Sequence, residues 1–90
     1  MLSVVTQHDG DVVHIHADAE GLALLEKTVS FLKRGLEAGK CEHDHLFSLA
    51  WGGQDLTETM LQQERESNCK QVHHVKLFAW PAEWKERHAL

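Results

Sequence analysis

Two short β-branched runs open the chain, Leu2 to Gln7 and Asp11 to His16, separated by His8-Asp9-Gly10. Asp-Gly supplies the positive φ angles of a tight turn, so the pattern predicts a β-hairpin. From Asp18 the period changes. Leu22, Leu25, Val29, Leu32 and Leu36 recur at alternating steps of three and four, which places them on one face of an α-helix. Asp18 is the expected N-cap, Glu20 suits the positive end of the helix dipole, and Gly39 stands where a left-handed residue would end the helix. Leu24 and Phe31 widen the apolar arc and call for cover beyond the sheet.

Period-2 alternation returns over His43 to Leu49 and over Gln71 to Trp80, giving a third and a fourth strand. Between them, Leu56 to Gln63 fits a strand, a helical turn or a loop equally well, because Leu56, Met60 and Leu61 match more than one period. Pro81 stops the last strand and opens a short helix over Ala82 to His88, anchored by Trp84. The expected fold is therefore α+β: β-β-α-β-β plus a short C-terminal helix, with a four-stranded antiparallel sheet carrying one long helix on one face. The other face is expected to be open, with His14, His16, His43, His45 and His74 on it beside Phe47, Phe78 and Trp80.

Composition narrows what such a domain can do. Ninety residues, 42% hydrophobic with a single proline, make one folded domain spanning 1–90. A core this thin gains from a partner or a second copy, so a homodimer is expected. The net charge of −5 and the lack of any Lys/Arg cluster argue against nucleic acid, and no apolar run approaches a membrane span. The start MLSVVTQHDG has no signal-peptide character, which gives a cytoplasmic expectation, with Cys41 and Cys69 as free thiols. Eight histidines make the charge conditional: protonating all of them would carry −5 to +3.

The run from His45 to Thr57, with Trp51-Gly52-Gly53-Gln54-Asp55-Leu56 at its centre, together with Val72 to Pro81, resembles the immunity protein 32 family of bacterial polymorphic toxin systems. The likeness spans roughly residues 13 to 81, including the Ile15-His16 to Gly21-Leu22 lead-in to the helix. The charged Thr57 to Asn68 segment departs from the family pattern. The resemblance implies a small α+β protein that neutralises a cognate toxin domain by stoichiometric occlusion and performs no chemistry. Contact is expected through the exposed sheet face, the Gly52 to Leu61 loop or both, with Phe47, Trp51, Asp55, His74, Phe78 and Trp80 touching the toxin and no catalytic residue, metal or cofactor.

Each motif also has a plainer reading. Trp51 is expected chiefly to plug the core at a strand-to-loop junction, and Gly52-Gly53 to take a backbone path closed to other residues. Trp80 and Trp84 suit either a contact or a helix-edge role. Cys41, His43, His45, Cys69 and His73 are the candidate zinc ligands of a rival, metal-binding protein, and His14-x-His16 is a second same-side pair; neither spacing is an established tetrahedral signature. Glu64, Arg65 and Glu66 read as solvated surface. No phosphate loop, nucleophile elbow or His-Glu-x-x-His occurs, so an enzyme is not expected.

Overall fold

The computed structural model describes all 90 residues. Strands β1 (Leu2–Thr6) and β2 (Val13–Ala17) form the expected hairpin, closed by Gly10 at φ 80. Helix α1 (Ala19–Glu37) begins where the Asp18 carboxylate accepts from the Gly21 N–H at 3.0 Å and ends before Gly39, at φ 72. Strand β3 (Glu42–Phe47) follows, then a 3-10 turn over Leu49–Trp51, helix α2 (Gln62–Glu66), strands β4 (Lys70–Gln71) and β5 (His74–Ala79), and helix α3 (Ala82–Arg87).

The chain is α+β, but its sheet is not one four-stranded layer. There are two small antiparallel sheets, β2-β1-β4 and β3-β5. The physical reason lies at Val72-His73. Up to Val72 the chain pairs with β1, the Val72 N–H donating to the Val4 carbonyl at 2.8 Å; at His73 it changes partner, and its carbonyl accepts from the Ser48 N–H at 2.8 Å. The predicted strand Gln71 to Trp80 is thus shared between two neighbours. Leu49, expected to end the third strand, leaves it for the 3-10 turn and stands exposed.

Helix α1 packs chiefly over β3 and β5, and its seam differs from the predicted stripe. The buried positions are Gly21, Thr28, Leu32 and Gly35, whereas Leu22, Val29 and Leu36 face solvent. Small residues win this face because the backbones approach closely: a Cβ on Gly35 would sit 2.8 Å from Glu42 Cβ. The core it covers is slight, built on Leu2, Val4, Leu46 and Leu56 with Leu24, Leu25, Val72, Val75 and Leu77 around them. Val13 and Ile15, on the helix side of β2, lie beyond the helix and remain exposed.

The shape is correspondingly open. A folded monomer of 10.2 kDa exposes about 5,300 Å², and this chain exposes 6424 Å². Its radius of gyration is 15.0 Å, against about 12 Å for a compact chain of this length. No helix is long and apolar enough to cross a membrane.

Candidate functional site

The sheet face turned away from α1 divides into two unlike halves. Across β3 and β5 the antiparallel register sets His43 opposite Phe78, His45 opposite Lys76 and Phe47 opposite His74. These six side chains share one side of the pleat. Phe47 stacks on His74 with ring centroids 4.1 Å apart, and His45 stacks against both, at 5.8 Å from Phe47 and 5.1 Å from His74. One ring donates its N–H to the other between His45 Nδ1 and His74 Nε2, at 2.8 Å. Desolvation first, then the nearby charges of His45 and Lys76, lower the His74 pKa below its ordinary value.

The patch is extended at both ends. Trp51 is 60% exposed, so it does not plug the core; it lies parallel to His73, 5.6 Å away, and His73 is in turn fixed by a 2.8 Å bond between Nδ1 and the buried Ser48 Oγ. At the far end Phe78, 56% exposed, stacks near Trp80, which contacts His88 from the tail. Trp84 also packs on His88 and lies under Arg87, so α3 folds back beside Trp80.

Of the six expected contact residues, the fold gathers Phe47, Trp51, His74, Phe78 and Trp80 into this strip. Asp55 is set apart: its carboxylate accepts from the Phe47 N–H at 3.0 Å, while the Asp55 and Leu56 N–H groups both donate to the Phe47 carbonyl. Together with Asp44, which caps the His45 N–H at 2.9 Å, it closes the outer edge of β3.

The other half of the face, across β1 and β2, is not open. Residues Leu56 to Cys69 fold over it. His14 and His16, expected on an exposed face, instead meet Glu64 from α2, with His14 Nδ1 at 2.7 Å and His16 Nε2 at 3.0 Å from the same carboxylate oxygen. The partner oxygen accepts from the Leu61 N–H at 2.9 Å. Glu64 is buried, not solvated, and its pKa is lowered to about 2 by the His16 bond first and then the His14 bond, against an opposing desolvation. A cleft of about 550 Å³ fronts the cluster, lined also by His8 and Cys69.

The same-side pairing of His14 with His16 is legible in the sequence, whereas Glu64 stands in a charged stretch with nothing to mark it. The predicted zinc set does not assemble: His43 and His45 belong to the aromatic strip, His73 to Ser48, and Cys41 is exposed, while the only converging group of three is His14, His16 and Glu64. Compared with family models, curated proteins and solved structures, the chain matches none of them.

Proposed function

We propose that this chain is a binding protein of the immunity type, which neutralises a bacterial toxin domain by stoichiometric occlusion through the face of β3 and β5. The observation that carries this reading is a strip of neighbouring rings: Phe47, His45 and His74 stack at its centre, Trp51 lies tilted against His74 at one end, and Phe78 with Trp80 forms the other end, joined to the centre through His43. Trp51 and Phe78 stand exposed at the two ends. Rigid aromatic groups give large contact area with little side-chain entropy to lose, and such residues dominate binding hot spots. Here they are held by the register of two strands, so the surface is preorganised. The excess exposed area, about 1,100 Å² above that of a compact chain, is of the order that one side of a stable interface covers. A second copy could cover it in the unbound protein, which is how a homodimer fits the same reading.

The test is to search the reading frames neighbouring this one for a toxin domain, express that domain in inactivated form and titrate it calorimetrically against this chain. A one-to-one complex is expected, and absence of any complex would overturn the reading. Its pH dependence follows from His74. Because its pKa is lowered, the neutral ring is fully populated above the ordinary value of about 6.5, and the contribution of that neutral form is lost as the pH falls through the lowered value. Protonation then places charge beside Lys76, His45 and His43 on a surface that binding dehydrates. Affinity should hold from pH 8 to about 6.5 and weaken below it, and His74→Gln should flatten that fall. A flat profile in the unaltered protein would place His74 outside the contact.

A further inference from the structure

We propose that His14, His16 and Glu64 form a binding site for a single divalent transition-metal ion of the zinc class, which clips residues Leu56 to Cys69 onto the β1–β2 hairpin. The two histidines alternate on β2 and so project from one side of the strand, while Glu64 arrives from a helix about fifty residues later. The donor atoms converge without rearrangement of the backbone: both ring nitrogens lie within 3.0 Å of one carboxylate oxygen, and all three donors lie within 4.8 Å of one another. Donors around a tetrahedral zinc ion at 2.0–2.1 Å stand about 3.3 Å apart, so shifts of a few tenths of an ångström to about an ångström admit the ion.

The carboxylate is already held in place. The Leu61 N–H holds Glu64 Oε1, which aims Oε2 at the histidines and fixes the carboxylate for monodentate ligation. Two imidazoles and one carboxylate are a donor set suited to zinc and its neighbours, with positions left open. The open side faces the cleft, which His8 and Cys69 also line, so a further protein ligand or water has access. A buried carboxylate is also a poor way to stabilise so small a core unless its charge has a further use. A metal clip closing a chain segment this long restrains the unfolded chain, which is the kind of aid that a thin core gains most from. The site lies apart from the β3–β5 strip, so its failure would leave the binding reading untouched.

The experiment uses the full chain without an affinity tag, stripped of metal and titrated with Zn²⁺, with Co²⁺ as a spectroscopic substitute. One ion per chain is expected, with a rise in Tm of several degrees that chelation reverses. Imidazole nitrogen NMR of the unaltered protein should show His14 Nδ1 and His16 Nε2 shifting on zinc addition, and His16→Gln should weaken affinity at least tenfold. No binding at micromolar Zn²⁺ would overturn the proposal. So would binding that leaves those two nitrogens unshifted, since the ion would then sit elsewhere. Because the NMR readout needs no substitution, a poorly folding variant would not blur the result.

Discussion

Replacing Gly53 with alanine should lower the stability of the fold by about 3 kcal/mol, the upper end of the usual cost of overpacking. The added Cβ would fall 2.3 Å from Phe47 Cβ and 2.6 Å from the Phe47 carbonyl oxygen. Neither atom can yield cheaply. The Phe47 carbonyl already accepts from the Asp55 and Leu56 N–H groups, and the Phe47 N–H is held by the Asp55 carboxylate. The loop from Ser48 to Leu56 is closed on the end of β3, and Gly53 is where the two backbones touch. Gly52 supplies the contrast: it has φ +87 with open space around it, so alanine there costs only the left-handed backbone penalty of about 1–2 kcal/mol. Urea unfolding should show a falling midpoint at constant slope for both variants, with Gly53→Ala the more damaged. Equal midpoints would mean that the loop does not close on Phe47 as described.

The second large effect concerns binding. Phe78→Ala should weaken the proposed complex with a toxin domain by at least 30-fold, about 2 kcal/mol. Phe78 is more than half exposed in the free chain and contributes nothing to the core around Leu46 and Leu56. Its loss should therefore leave the melting temperature nearly unchanged. That separation makes it a cleaner probe than Phe47, whose stacking on His74 and contact with Gly53 tie it to the fold. Unchanged affinity in Phe78→Ala would remove the far end of the strip from the interface.

The features legible in the sequence are those written by local chemistry. Asp18 and Gly39 bound α1 as cap residues do, Asp9-Gly10 turns the hairpin, and Pro81 opens α3, because each depends only on a few adjacent backbone angles. What eluded the sequence depends on distant partners. The seam of α1 runs through Gly21, Thr28 and Gly35, which apolar periodicity ignores, so of the predicted stripe Leu25 and Leu32 pack inward while Leu22, Val29 and Leu36 lie on the exposed flank. The split of the last strand arises at Val72-His73 because β1 and β3 compete for one edge, and no residue type announces such a change of partner. The aromatic strip was legible because alternation along β3 and β5 survives any strand order. Glu64 was not, since burial of one acid among several is decided by where the Leu56 to Cys69 segment lands.

The proposed occlusion of a toxin domain through the β3–β5 face is tested most directly by amide hydrogen exchange of this chain alone and in complex with that domain. Protection on binding should concentrate in residues 43–51 and 74–80, with little change along α1 or over residues 57–69. Protection confined to α1, or to the segment that covers β1 and β2, would contradict it.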